Sequence, residues 1–317
     1  MAKSSIEWTQ ATWNPIVGCS IVSPGCTNCY AMKMAARIEG MNAEARECSH
    51  RKPTAPHYDG TTRKVNGNAV WTGKLARAPN STWLAPLQRR RPTTYFVNSM
   101  GDLFHEDCPD EWILDALTVV AIAHQHTFQV LTKRADRMRE FMSRPDLLED
   151  IYANWYSWDS GAREVQSWPL HNLWLGASAE DQRRFDDRQY DLRETPAKVR
   201  FFSFEPLLSE IDTRGELCGG DFHWAIVGGE SGPGARPMQP DWARSLRDQC
   251  AAAGVPFFFK QWGEWADADD YPSEMQEHLE LINRADGNSV RVGKKRAGRL
   301  LDGALHDAMP QVHSQIT

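Results

Sequence analysis

From residue 94 onward the chain alternates between short apolar runs and stretches with helical spacing. The run "TYFVNSM" over 94–100 is rich in β-branched and aromatic residues and leads into a polar loop, "GDLFHEDCP". In "DEWILDALTVVAIAHQ", Trp112, Leu114, Leu117 and Val120 or Ala121 recur at helical spacing, with Asp110 placed to cap the start. "TFQVLTK" then predicts a strand and "RADRMREFM" a helix. The strand "NLWLGASAE" precedes a charged amphipathic helix, "DQRRFDDRQYDLRET", which Pro196 ends. "VRFFSFEPL" and "HWAIVGGES" predict two further strands. "DWARSLRDQCAAAG" is a helix that Gly254 stops, and "VPFFFKQWG" closes the series. Apolar runs without strict alternation suit strands covered on both faces, as in a parallel sheet wrapped by helices. Six such runs, with another strand expected before Cys19, predict an α/β fold. The expected form is a complete or partial (β/α) barrel of mostly parallel strands. A doubly wound open sheet is the alternative arrangement.

Two regions stand outside this alternation. Residues 39–92 are polar and turn-rich ("NGNAVWTG", "RAPNST") and are expected to form an insertion over one mouth of the barrel. Residues 266–317 form a C-terminal extension, in which "NSVRVGKKRAGRLLDGALHDAMP" predicts a hairpin and turn packed back on the body. The chain therefore reads as a single domain over 1–317. Its parts are a cysteine loop with the first βα unit at 8–38, the insertion at 39–92, barrel βα units at 93–265 and the extension.

Composition narrows the classes. Apolar residues make up 41% and charged residues 25%, which excludes a disordered chain. There is no run of eighteen apolar residues, so no membrane span is expected. The start, "MAKSSIEWTQ", lacks an apolar signal core, and a cytoplasmic location is expected. The net charge of −6 conceals a basic first third: residues 1–100 carry 13 Lys and Arg against 5 Asp and Glu. Such a face suits a phosphate-bearing partner such as a nucleic acid or nucleotide; an unevenly charged solvated surface is the alternative. Among thirteen tryptophans, Trp8, Trp13, Trp71 and Trp83 lie in the basic third, as packing residues or as platforms for stacked bases. No surface pattern fixes an oligomeric state.

The densest chemistry is in "NPIVGCSIVSPGCTNCYAMK", which holds Cys19, Cys26 and Cys29. In a reducing compartment a cysteine cluster points to metal or catalysis rather than a disulfide. Ser23-Pro24-Gly25 is a turn signal that brings Cys19 round toward the other two. Three thiolates on a four-iron cluster leave one iron open to a substrate or cofactor. A zinc site is the alternative, with Cys48 or His50 of "ECSH" as the fourth ligand.

A second constellation follows from the strands. Reactive groups in a β/α barrel project from the C-terminal strand ends. Those ends carry Ser99 and Asp102, Thr132 and Lys133, Ser178 and Glu180, Ser203 and Glu205, Gly228-Gly229-Glu230-Ser231, and Lys260-Gln261-Trp262. Any one of them is accounted for by loop solvation; together they predict a ligand-lined mouth. Lys260 and Gln261 are expected to contact substrate or relay a proton. The glycines of "GGESGPG" permit close backbone approach to a ligand.

Several motifs carry a resemblance: "WNPIVGCSIVSPGCTNCYA", "NSMGDLFHE", "LTKR", "FEPLL", "IVGGESGPGARPM", "PFFFKQWGEW" and "GRLLDGALHDAMP". Together they resemble a phage gene product 37 / gene product 68 family, a domain of unknown function, over residues 13–310; a host cytoplasm would then be the location. More distantly, the cysteine triplet, a strand ending in Ser-x-x-Asp and a strand ending in Leu-Thr-Lys resemble radical S-adenosylmethionine enzymes of the spore photoproduct lyase type. That resemblance implies a [4Fe–4S] cluster on Cys19, Cys26 and Cys29. It places Ser99 and Asp102 at the methionine amino group of S-adenosylmethionine, and Thr132 and Lys133 at its carboxylate or ribose. Ser178, Gly228, Gly229 and Glu230 are further candidates for cofactor contact. The implied reaction generates a 5′-deoxyadenosyl radical with an electron from an unidentified donor, on a nucleic acid or nucleotide. The family spacing is C-x3-C-x2-C, whereas the first gap here is six residues, which implies a longer loop. Two other functions remain open: a zinc-stabilised nucleic-acid-binding or scaffold protein, and a metal-independent barrel hydrolase using Glu205 and Glu230.

Overall fold

The structure is a computed structural model and describes residues 4, 6–48, 50–161, 167–271, 279–284 and 287–311. Seven strands form one sheet: β1 (Ala11–Trp13), β2 (Thr94–Val97), β3 (Thr127–Thr132), β4 (Leu173–Ser178), β5 (Val199–Phe204), β6 (Trp224–Gly228) and β7 (Phe257–Gln261). They are hydrogen-bonded in sequence order, and the β1–β2, β2–β3, β5–β6 and β6–β7 pairs are parallel. A doubly wound sheet would reverse its strand order at a switch point; this order never reverses. The sheet runs from β1 to β7 without closing, so the partial form of the expected barrel is the one adopted. The long helices are α1 (Tyr30–Glu47), α2 (Asp110–Ile122), α3 (Ala135–Met142), α4 (Leu147–Trp158), α5 (Gln182–Glu194) and α6 (Pro240–Ala253). No helix among the described residues is long and apolar enough to cross a membrane.

The chain divides into two compact units, with the boundary inside β4. One comprises Met1–Leu175 with Glu194–Lys198, the other Gly176–Arg193 with Val199–Thr317. In the first unit, Tyr95 and Phe128 are register partners whose rings stack at 5.4 Å, and Trp13 meets Phe128 edge-on at 5.5 Å. The helix α1 runs on past residue 38. Its apolar face (Ala31, Met32, Ala35) shares a core with Val17, Tyr58, Trp71 and Met100. Trp71 closes the hairpin Thr62–Val65/Asn68–Trp71, so the insertion is packed on α1. Asp110 is the first residue of α2 rather than its cap, which is Pro109; there the carboxylate meets the positive end of the helix dipole.

Of the two readings of the indoles in the basic third, packing is the one the structure bears out. Trp8, Trp13, Trp71 and Trp83 are all buried. Trp13 donates from Nε1 to the Thr82 carbonyl at 3.1 Å, Trp8 packs on Phe96, and the Arg77 guanidinium covers Trp83. Large apolar rings in a small α/β unit are taken by its core before any is left for a ligand.

In the second unit, β6 is buried along its whole length and Phe201, Phe202 and Phe204 are fully buried on β5. At about 1.5–3 kcal/mol for each fully buried aromatic, this strand is a main anchor of the unit. The otherwise charged α5 is held by Phe185, which packs on Phe202 at 5.1 Å. Gly176 is required on β4 because a Cβ there would stand 2.5 Å from the Phe201 ring. Gly254 ends α6 in the left-handed region, as the sequence predicts. The extension does pack back on the body: Phe258 and Asp307 form an antiparallel bridge, and Trp262 donates to the Leu300 carbonyl at 2.7 Å. Its hairpin joins Gly287–Arg291 to Leu281–Arg284, and Trp265–Asp267 completes three strands. Residues 285–286 lie outside the described residues.

Candidate functional site

The cysteine loop begins where the chain leaves a two-residue strand, Ile16–Val17, which pairs with Ala76–Arg77 of the insertion. Gly18 has φ +94 and donates its amide to the Met100 carbonyl at 3.1 Å. A Cβ at this position would lie 2.0 Å from the Lys74 carbonyl oxygen, so only glycine fits. The amide of Gly73 then donates to the carbonyl of Cys19 at 3.2 Å. The predicted turn is a short 3₁₀ helix, Pro24–Cys26, closed by the Thr27 amide on the Pro24 carbonyl. It delivers Cys26, and Cys29 follows as the cap of α1.

All seven cysteines are free thiols. Cys26 lies near enough to Cys19 and to Cys29 for its charge to act on both. Burial pushes the Cys19 thiol up to about 12; the Asp102 carboxylate adds to the rise, and Arg134 opposes it. Cys29 is likewise raised by burial, but the first amides of α1, those of Met32 and Ala31, work the other way, as does Lys133. Without metal the two sulfurs are neutral thiols at pH 7, and binding a metal must displace their protons.

Beside the loop is a closed polar network that sequence reasoning missed, centred on Arg134. This guanidinium is nearly buried and donates to Ser20 Oγ at 2.6 Å, to Asp102 Oδ2 at 2.9 Å and to Cys19 Sγ at 3.7 Å; it also pairs with Glu106. Asp102, on the loop after β2, accepts in addition from Thr132 Oγ1 at 2.7 Å and from the Phe104 amide at 3.0 Å. The Lys133 amide reaches its second oxygen at 3.4 Å. Ser99 donates from Oγ to Asn14 Oδ1 at 3.1 Å, and its carbonyl accepts from the Tyr30 hydroxyl at the start of α1. The structure therefore brings Cys19, Asp102, Thr132 and Lys133 together, Cys19 through Arg134 and the other two through Asp102. The signal was in "LTKR", where a fourth residue follows the predicted strand end; a long side chain reaching back to another loop has no periodicity to reveal it.

The Glu106 carboxyl is partly buried, which alone would raise it. Hydrogen bonds from Arg134, a backbone amide and Ser20, with the charge of Arg134, outweigh burial and hold it at about 2. Its stabilising effect is then complete above the ordinary value of 4.5 and disappears as pH falls through about 2. Glu106→Gln should unfold at lower urea concentration than wild type at pH 7. The gap between the two midpoints should shrink steadily from pH 4.5 downward in a series of urea titrations; a gap independent of pH would refute the assignment.

Zinc closed by "ECSH" does not fit. Cys29 and Cys48 cap opposite ends of the 18-residue α1, which at the helical rise sets them about 28 Å apart. His50 lies beyond Cys48 in the chain. Nor do the three sulfurs make a compact shell. Among the described residues, the only group of three ligand atoms within 4.8 Å of one another is His105, Glu106 and Asp107. Ligands of a single tetrahedral zinc at about 2.3 Å per Zn–S bond would sit closer than that. Three free thiols on one loop are the type of donor that iron–sulfur clusters take.

The candidates of the second unit are placed differently. Lys260 Nζ donates to Glu205 Oε1 at 2.6 Å, and the pair lies beside Gly228, where a Cβ would be in ordinary contact with Lys260 Cβ at 3.4 Å and Glu205 Cδ at 3.5 Å. Ser203, one step back on the same face of β5, has a buried hydroxyl without a hydrogen-bond partner. Gln261 donates to Ser231 Oγ at 3.0 Å. Ser178 is buried; its carbonyl accepts from Arg188, which also pairs with Glu180. Glu230 is engaged by Arg236, which donates from its amide at 2.8 Å and from Nε at 3.0 Å. Glu205 and Glu230 thus each have a cation of their own. Gly229 is explained by packing, because a Cβ would lie 1.9 Å from the Trp262 carbonyl oxygen.

Comparison with known proteins adds the following. No curated protein matches the sequence. Among solved structures, the chain is similar to spore photoproduct lyase complexed with dinucleoside spore photoproduct, at 10% identity and a TM-score of 0.41, covering 93% of this chain and 72% of that one. It is also similar to a variant of that lyase with bound AdoMet and dinucleoside spore photoproduct, at 11% identity and a TM-score of 0.38, covering 90% and 69%. Residues 3–310 match the family described as "Protein of unknown function (DUF5131)", and the chain belongs to that family.

Proposed function

We propose that this protein is a radical S-adenosylmethionine-type enzyme whose cluster is held by Cys19, Cys26 and Cys29 and whose substrate is a nucleic acid or nucleotide. The observation that carries this reading is the contact of Cys19, one of three free thiols on a single loop, with the Asp102–Thr132–Arg134 network at the ends of β2 and β3. When bound, such a group supplies one-electron cleavage of S-adenosylmethionine to methionine and a 5′-deoxyadenosyl radical.

The chain's own residues do the rest. Asp102 spends its oxygens on Thr132, Phe104, Lys133 and Arg134, and so fixes the strand ends around the loop. Ser99 and Lys133, both only partly buried, are the residues assigned to the amino and carboxylate groups of the cofactor. Positioning of this kind is the main service a protein gives to radical chemistry. Arg63, Lys64, Arg90 and Arg91 are exposed on the same unit, which supports a phosphate-bearing substrate. On the second unit, Lys260 and Glu205 share a hydrogen bond short enough to pass a proton, in keeping with a relay there.

Anaerobic reconstitution with iron and sulfide tests the reading. The expected product is a brown protein with about four irons and four sulfides per chain that forms 5′-deoxyadenosine on reduction in the presence of S-adenosylmethionine. A colourless protein that takes up no iron and yields no 5′-deoxyadenosine would overturn it.

A further inference from the structure

We infer that Arg134 is a positioning residue that sets the reduction potential of the group held by the three cysteines, through its N–H contact with the sulfur of Cys19. The inference rests on the reading above and deepens it. Four partners fix the guanidinium: Ser20 on the cysteine loop, Asp102 and Glu106 on the loop after β2, and Cys19 Sγ at 3.7 Å. The side chain is only 8% exposed, so water does little to screen its charge. Asp102 and Glu106 hold two of its edges, which leaves Nη1 shared between Asp102 and the sulfur. The other charges acting on the loop are those carboxylates and Lys133, whose influence falls on Cys29.

The physical consequence has a definite sign. Reduction adds negative charge to a cluster, and that charge is shared by its sulfur ligands. A fixed cation with an N–H aimed at one of those sulfurs stabilises the reduced state more than the oxidised one, and the potential rises. The geometry is preorganised: Arg134 needs no movement to act, because Ser20, Asp102 and Glu106 already hold three other donors of its guanidinium. An arginine is the only side chain that can satisfy all four partners at once; a lysine would keep the charge and lose the fork.

The experiment is an anaerobic redox titration of the reconstituted full-length protein, followed by its visible spectrum, with iron analysis of each sample. In Arg134→Gln the midpoint should fall by at least the equivalent of a tenfold change in the reduction equilibrium, which is about 59 mV for one electron. Arg134→Lys should lie between Gln and wild type. Ser20→Ala cuts one tether of the loop but leaves the N–H on Cys19, and its midpoint should stay with wild type. Arg134→Gln with full iron and the wild-type midpoint overturns the inference, as does a Ser20→Ala midpoint that falls as far as that of Arg134→Gln. If Arg134→Gln holds no iron, Arg134→Lys decides, and a wild-type midpoint in it, or no iron there either, reduces Arg134 to a tether. Absence of iron from wild type itself would sink the cluster reading first, so the two failures are told apart by iron content alone.

Discussion

Cys26→Ser is expected to emerge from reconstitution with fewer than one iron per chain, against about four for wild type, and to form no 5′-deoxyadenosine above background. Cys19→Ser and Cys29→Ser should behave alike, because a cluster missing one of three protein ligands exposes a second iron to solvent. The contrast lies with the other cysteines. Cys48 is exposed at the far end of α1, and Cys108 and Cys250 are core thiols that burial pushes up to about 12. None of the three lies on the 19–29 loop, and Cys48→Ala, Cys108→Ala and Cys250→Ala should keep full iron even where stability falls. A serine replaces sulfur with a smaller oxygen of similar shape, so the far-ultraviolet circular dichroism of Cys26→Ser should match that of wild type. Iron retained in the triplet variants would remove the loop from the mechanism.

The second large effect is structural. Gly18→Ala places a Cβ 2.0 Å from the Lys74 carbonyl oxygen and does so at φ +94. Left-handed strain costs a non-glycine residue about 1–2 kcal/mol, and overpacking against backbone adds about 1–3 kcal/mol. The opposing carbonyl belongs to main chain tied down by the Ile16–Val17/Ala76–Arg77 pairing, so it cannot swing aside as a flexible side chain would. A loss of about 2–5 kcal/mol in urea unfolding is expected. Gly67→Ala is the control: its φ is +79 but a Cβ there meets nothing within 4 Å, so only the backbone strain remains. Equal losses in the two variants would show that the clash is relieved elsewhere.

Six of the seven strands were legible because each is a mostly apolar run whose burial leaves one consistent signal. Gly254 and the turn at Ser23-Pro24-Gly25 were legible for a similar reason, since one local conformation fixes the residue type. The helix α4 was not anticipated: it buries only Leu147 and Ile151, too few to mark an apolar face, and Asn154 holds it through Asp115 and Thr118. The full length of α1 was hidden for the converse reason, because its outer face is so polar that it reads as part of the insertion. In the site, Cys19, Cys26 and Cys29 announced themselves by spacing. Arg134, Glu106 and Ser20 did not, because their association joins three loops that are distant in sequence. The glycines of "GGESGPG" carry a constraint that the sequence does not show, for a Cβ at Gly229 would meet the Trp262 carbonyl.

The amide of Gly73 on the carbonyl of Cys19, with the carbonyl of Lys74 pressed against Gly18, changes what the polar excursion between helix and sheet is for. It is the back wall of the sulfur-bearing loop. Descendants of this chain that shortened or rebuilt that wall would inherit a reshaped loop with every thiol still in place, so inheritance at 72–77 should be as conservative as at the cysteines themselves.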